Sequence, residues 1–299
     1  MHSPAPLKTL AFVVVATTAI VCGDTAGKLL TQAGVQPLFV AWSRFALAAL
    51  VLAPLLRPSR AEWRSLLDWR LILRAALIVG GISSILTALR TEPIANVFGA
   101  FFVGPMVAYL LSALLLGERI TWVRTAMLVL GFAGVLLVVR PGADVGGGMI
   151  FALLAGTLYG AYLTATRWLA PVHRSSFLLV SQLVIGGVLL LPFGIVSVPA
   201  GAGAGIWALV VASSAASAFG NYLLVVVNRT TPATVSAPLI YFQLISATVI
   251  GFLVFGDWPA PVAFAGLALI FASGIGGLAL AHRRGGDATR PLPSRQKPA

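Results

Sequence analysis

One stretch of this chain is written twice, and the interval between the copies limits what the chain can fold into. The first copy reads Arg90-Thr91-Glu92-Pro93, an apolar run to Leu116, then Gly117-Glu118. The second reads Arg229-Thr230-Thr231-Pro232, an apolar run to Phe255, then Gly256-Asp257. Every matched position is separated by 139 residues. Each copy is expected to be a helix that opens at a proline, where a missing N–H costs little, and stops at a glycine. The correspondence extends further. Phe12, Thr18, Thr25 and Lys28 fall on Phe151, Thr157, Thr164 and Arg167 at an offset of 139, and Phe39, Ser43 and Pro54 fall on Phe177, Ser181 and Pro192 at 138. Apolar residues often match by chance; Lys with Arg, Arg with Arg and Pro with Pro at a nearly constant offset do not. The chain therefore reads as one unit duplicated.

Composition decides the solvent. The chain is 59% hydrophobic and 9% charged, against about 25% charged in soluble domains. It lacks the polar residues to cover a globular surface, so it belongs in a membrane. Ten apolar runs can be marked, at about 8–30, 37–56, 71–89, 93–116, 122–139, 148–169, 176–198, 205–227, 232–255 and 260–281. Each has about the 20 residues a helix needs to cross the hydrocarbon core. The runs are continuously apolar rather than alternating, which excludes a barrel. The first continues too far for a cleavable signal and reads as a retained helix. The expected fold is thus all-α, ten transmembrane helices in two five-helix repeats, residues 1–142 and 148–284, with a linker at 143–147 and a disordered cytoplasmic tail at 285–299.

Five spans per unit is an odd number, so the second unit enters the membrane from the opposite side, which is an inverted repeat. Charge sets the orientation. With both termini cytoplasmic, the outer side holds Lys28, Arg90 and Arg140, Arg44 lies within a span, and the other basic residues lie inside. This asymmetry is the positive-inside pattern, and it accounts for the net charge of +12 without a nucleic-acid partner. The segment Arg57–Arg74, rich in arginine with Trp63 and Trp69, reads as a cytoplasmic loop anchored at the interface by tryptophan and anionic lipid. The single cysteine, Cys22, allows no internal disulfide.

Several of these residues resemble a known family. Pro93–Leu116 followed by Gly117-Glu118-Arg119-Ile120, then Gly131, Gly134 and Val139-Arg140-Pro141-Gly142, is similar to the first repeat of EamA-type members of the drug/metabolite transporter superfamily, and Trp42-Ser43-Arg44-Phe45 matches its second helix. The resemblance spans about residues 8–281; the second copy departs from it at Gly256-Asp257-Trp258 and at Gln182, which replaces Arg44. It implies two inverted five-helix halves around a central cavity in the bacterial inner membrane, carrying small metabolites by alternating access. The amino-acid exporters, aromatic amino acids included, are the nearest subgroup, so amino-acid export is the leading expectation. Uptake of a larger metabolite such as S-adenosylmethionine or riboflavin is the alternative, and a non-transporting scaffold or receptor is the alternative of another class. The expected partners are a small-molecule substrate, the bilayer and a coupled proton, with the chain a monomer or homodimer. No enzyme activity, cofactor or metal is expected: no His, Cys or carboxylate pair inside a span has metal-ligand spacing, and no Lys-Ser/Thr follows Gly146-Gly147-Gly148.

Polar residues inside the spans mark the candidate site, because a charge at a helix centre costs at least about 2.5–3.5 kcal/mol. Asp24 and Lys28 stand one turn apart on the first helix. They are read either as a self-neutralising ion pair or as the cavity mouth, where Asp24 could meet an ammonium or carry a proton and Lys28 could meet a carboxylate. Arg44 is read as structural or coupling, with Asp24 or helix-end carbonyls as its expected partner. Asn96, Tyr159, Tyr162, Asn221, Tyr241 and Gln243 lie on repeat-related helices and complete the expected substrate-binding set. Gly99 and Pro238 occupy equivalent positions and are the expected hinges.

Overall fold

The computed structural model describes residues 6–92, 94–118, 120–139, 147–231, 236, 239–256 and 261–287, with side chains over 8–92, 97–118, 120–138, 147–231, 236, 239–256 and 261–276. Pro238, the side chain of Asn96 and residues 143–146 lie outside the described residues. Helices and their connections make up everything described: α1 (Pro6–Gln32), α2 (Pro37–Leu56), α3 (Arg60–Ser65), α4 (Trp69–Thr91), α5 (Ile94–Phe101), α6 (Val103–Leu116), α7 (Trp122–Val139), α8 (Gly148–Leu169), α9 (Ser175–Leu189), α10 (Leu191–Val196), α11 (Ala204–Thr230), α12 (Phe242–Phe255) and α13 (Pro261–Asp287). Six apolar segments are long enough to cross a bilayer, α5 and α6 together supplying one of them, Val97–Leu116; α7, α9, α12 and the first part of α13 are shorter apolar helices. The last helix runs to Asp287, three residues into the stretch read as a tail.

Local chemistry sets the helix ends. Pro37 occupies the first turn of α2, after Gln36 in extended conformation. α6 and α12 both stop at a left-handed glycine, Gly117 with φ 66° and Gly256 with φ 73°, a backbone state that glycine enters without a Cβ clash. These two glycines are 139 residues apart. The same offset relates two interruptions. Phe102 separates α5 from α6, and Tyr241 immediately precedes α12. The break in the first copy thus falls three residues after Gly99. Phe102 and Tyr241 also touch, edge to face with ring centroids 5.7 Å apart.

The packing partners exchange under the same offset. α1 packs on α11 and α4 on α8; α1 packs on α12 and α8 on α6; α2 packs on α11 and α9 on α4. α2 with α9, and α7 with α13, are pairs that map onto themselves. Most of the core therefore forms between the N-terminal and C-terminal halves rather than within either. Small residues allow the closest crossings. A Cβ on Gly104 would stand 2.7 Å from the Gly156 carbonyl oxygen, and one on Gly134 would stand 2.7 Å from that of Gly266.

At one end of the bundle the connection between α2 and α4 is latched to the start of α9. Ser59 and Glu62 form a capping box at α3. Arg174 Nε donates to Glu62 Oε1 at 2.7 Å and Arg174 Nη2 to Oε2 at 3.0 Å. The hydrogen bond from Arg174 holds Glu62 below the usual glutamate range. The latch is therefore complete at neutral pH and is lost only as pH falls through that lowered value. Glu62→Gln removes the charge and is expected to expose this connection. Limited trypsin digestion at neutral pH should then cut after Arg60 or Arg64 sooner than in the wild type; Arg57 precedes Pro58 and is not a tryptic site.

Candidate functional site

Arg44 and Asp24 meet in the interior. Arg44 is 2% exposed and Asp24 5%. Nη1 of Arg44 lies 2.7 Å from Asp24 Oδ1, Nη2 donates to the Gly23 carbonyl at 2.7 Å, and Nε donates to Ser213 Oγ at 2.9 Å. Ser213 in turn donates to the Gly23 carbonyl at 2.9 Å. One guanidinium thus joins α1, α2 and α11, with each of its nitrogens bonded. Local sequence makes the room: a Cβ on Gly27 would stand 2.5 Å from Arg44 Nη2. A buried ion pair persists in a low-dielectric interior only when such further hydrogen bonds complete it. Asp24 pairs across helices with Arg44, not along its own helix with Lys28; the ammonium of Lys28 sits 5.4 Å over the Phe255 ring.

Beside this pair is a cavity of about 30 Å³, lined by Ile20, Asp24, Arg44, Ile78, Gly81, Ile82, Ile85, Phe101, Tyr159, Ser217, Asn221 and Gln243. A space of this size holds about two waters. Its walls carry polar atoms with unused capacity. The Tyr159 hydroxyl, Asn221 Oδ1 and Gln243 Oε1 are buried without a hydrogen-bond partner, while Asn221 Nδ2 donates to the Ser217 carbonyl at 2.8 Å. Phe101 and Tyr159 face one another with centroids 5.1 Å apart. Buried polar groups normally find partners, so this cluster of unsatisfied ones around a cavity marks the candidate site.

Of the residues expected from the sequence, Asp24, Arg44, Tyr159, Asn221 and Gln243 come together here. Lys28, Tyr162 and Tyr241 do not line the cavity. Tyr162 stacks behind Tyr159 with centroids 6.0 Å apart, and its hydroxyl donates to Gln182 Oε1 at 2.8 Å. Tyr241 packs against Phe102 and over Gly131. Sequence reasoning did not single out Phe101, Ser213 or Ser217, which look like ordinary helix-packing residues.

Arg74 requires a correction. Charge counting along the sequence places it among the interfacial arginines, but it is 0% exposed. Nε donates to Thr166 Oγ1 at 2.8 Å, Nη1 to the Leu178 carbonyl at 2.7 Å, and Nη2 to Gln182 Oε1 at 2.8 Å and to the Tyr162 hydroxyl at 3.2 Å. The reason is helical position: Arg74 lies inside α4, and the crossing of α4 with α8 and α9 turns it inward. A larger cleft of about 430 Å³ between α2, α9 and α11 is walled by residues such as Leu50, Val51, Leu56 and Leu179 and has no charged lining. That chemistry suits lipid contact rather than recognition of a polar solute.

Comparison with known proteins decides the family. One family model, the EamA-like transporter family, matches residues 7–140 and again residues 146–276. The chain belongs to the EamA-like transporter family. It is accordingly a multi-pass membrane transporter of the drug/metabolite superfamily that binds a small molecule within the membrane. This EamA-like chain is 28% identical over 241 residues to a riboflavin transporter of Rhizobium johnstonii, covering 79% of this chain and 78% of that one. It is 25% identical over 254 residues to a riboflavin transporter of Brucella anthropi, covering 82% and 89%. It is 23% identical over 231 residues to an S-adenosylmethionine uptake transporter of Rickettsia bellii, covering 74% and 76%. A solved crystal structure of a protein with 19% identity superposes with a TM-score of 0.75 over 95% of this chain and 99% of that chain, so the two share a fold.

Proposed function

We propose that the chain is a secondary transporter of the bacterial inner membrane, both termini cytoplasmic, that takes up a planar, hydrogen-bonding metabolite of the riboflavin class. Its ten spans form two inverted five-helix repeats that rock around the central cavity. The observation carrying this reading is the cavity wall, where unpartnered tyrosine and amide oxygens stand beside an aromatic pair and a buried ion pair. A flavin ring is planar and presents N–H and carbonyl groups along one edge, so it could both stack on Phe101 or Tyr159 and satisfy Asn221 and Gln243. The cavity of about 30 Å³ is far smaller than such a ligand, so this arrangement is an occluded one and loading requires the halves to part. The paired helix contacts and the two matches of one family model support the repeat. The relatives' names favour this reading over amino-acid export, which has no observation of its own.

Reconstituted liposomes with labelled riboflavin, S-adenosylmethionine and phenylalanine test the proposal. Saturable riboflavin flux is expected, and phenylalanine flux without riboflavin flux would return the assignment to amino-acid export. A second prediction separates function from folding. Gln243→Leu removes a buried oxygen that lacks a partner. Thermal unfolding in detergent should show no loss of stability. The ligand's lost hydrogen bond should nevertheless cost about 1 kcal/mol, which is roughly a fivefold rise in the KM for transport.

A further inference from the structure

Two buried arginines hold this bundle, one near each end, and their positions mirror one another. At the 138 offset Arg44 falls on Gln182; at the 139 offset Arg74 falls on Ser213. Arg44 bonds to Ser213, and Arg74 bonds to Gln182. The same pair of helix crossings is thus closed twice, with the guanidinium supplied once by α2 and once by α4. Arg44 lies about 10 Å along α2 from Pro37, and Arg74 about 8 Å along α4 from Trp69. The first joins α1 and α2 to α11; the second joins α4 to α8 and α9. Both clamps span the two halves.

They differ in chemistry. Arg44 has a carboxylate partner and borders the cavity. Arg74 has four neutral acceptors, no carboxylate within ion-pair distance among the described residues, and its guanidinium lies 4.9 Å over the Tyr162 ring. Water can replace neutral acceptors when the helices part, because the guanidinium then exchanges protein hydrogen bonds for solvent ones and leaves no countercharge behind. Arg74 stands about 8 Å along α4 from its start, near enough to that end for its guanidinium to be hydrated once the helices part. Behind it, Tyr162 stacks on Tyr159, which faces the cavity.

We infer that Arg74 is a positioning residue of transport: it locks the Trp69 end of the bundle shut across α4, α8 and α9, while Arg44 locks the opposite end across α1, α2 and α11. This rests on the alternating-access reading. Opening toward the Trp69 face breaks the Arg74 contacts and leaves those of Arg44; opening toward the other face does the reverse.

The test uses the full chain with Cys22→Ser and a reporter thiol, Ser217→Cys, in the cavity wall. An impermeant maleimide is applied to each face of oriented vesicles, with Ala61→Cys in a separate protein identifying the Trp69 face. Arg74→Gln should raise labelling about tenfold from the Trp69 face and leave the other face unchanged. Arg44→Gln should do the opposite. Arg74→Lys keeps the charge but not the fork of donors, and should fall between wild type and Arg74→Gln. Gln182→Leu removes one acceptor while keeping the guanidinium, and should act in the same direction as Arg74→Gln even if that variant folds poorly. Equal changes from both faces, or none, in folded variants of a protein that does transport would overturn the role given to Arg74. No flux of any candidate by the parent protein would instead remove the transport reading on which the role depends.

Discussion

Asp24→Leu is expected to lower the unfolding free energy by about 3–5 kcal/mol, and Arg44→Met by a similar amount, because each leaves one buried charge without its partner. The double variant Asp24→Leu/Arg44→Met should recover most of that loss, since two apolar side chains of similar volume replace two charges that no longer need solvating. The geometry makes the expectation specific. Asp24 accepts from Arg44 at 2.7 Å, and the remaining guanidinium bonds go to Gly23 and Ser213. With Asp24 gone, those neutral acceptors remain but the countercharge does not. Unfolding titrations of the four proteins in one detergent form the double-mutant cycle. A double variant no more stable than the worse single variant would show that the pair is not the source of the loss. Transport should be abolished in all three variants, because both residues line the cavity. Stability and flux are therefore expected to separate in the double variant, as they would not if the pair were structural alone.

Gly156→Leu should prevent folding altogether. A Cβ at Gly156 would run into the carbonyl oxygen of Phe101, and one turn later a Cβ at Gly160 would meet the carbonyl oxygen of Gly104. These obstacles are backbone and cannot swing aside as a side chain does. Overpacking of an adaptable core costs about 1–3 kcal/mol; here α8 must withdraw from α5 and α6 along its length, at a greater cost. The consequence reaches the site, because Phe101 and Tyr159 stand on opposite sides of this crossing and both line the cavity. Size-exclusion profiles of the purified variant should show aggregate rather than a single species. Gly187→Ala is the control. Its Cβ would have ordinary contact, 3.6 Å from Ala46 Cα, and alanine in a helix interior is favoured over glycine by about 1 kcal/mol. That variant should fold and be slightly more stable.

Much of the architecture is visible in one dimension. Hydropathy marks the helices because the solvent is a hydrocarbon slab, and its thickness sets a length that any spanning segment must reach. The glycine stops at Gly117 and Gly256 could be read directly, because the left-handed turn each provides excludes most other residues. The candidate site was only partly legible. Asp24, Arg44, Tyr159, Asn221 and Gln243 stood out because polar groups in apolar runs are costly. Phe101 could not stand out, since an aromatic residue in a membrane helix is ordinary until its neighbour across the crossing is known. Arg74 gave the wrong signal. It closes a basic segment, and charge counting assigns such a residue to the water interface.

By itself the sequence determined the helical class and the apolar medium, which follow from composition, and it carries the constant spacing from which two related halves are proposed. Tertiary structure alone decided which arginine meets which acceptor, that Asp24 turns to Arg44 and not to Lys28, and that Tyr162 serves Arg74 while Tyr159 faces the cavity. The physical reason is rotation. A helix's spacing says which residues share a face, but the angle at which that face meets a neighbour is set by packing between halves, where a shift of one residue turns a side chain by about 100°.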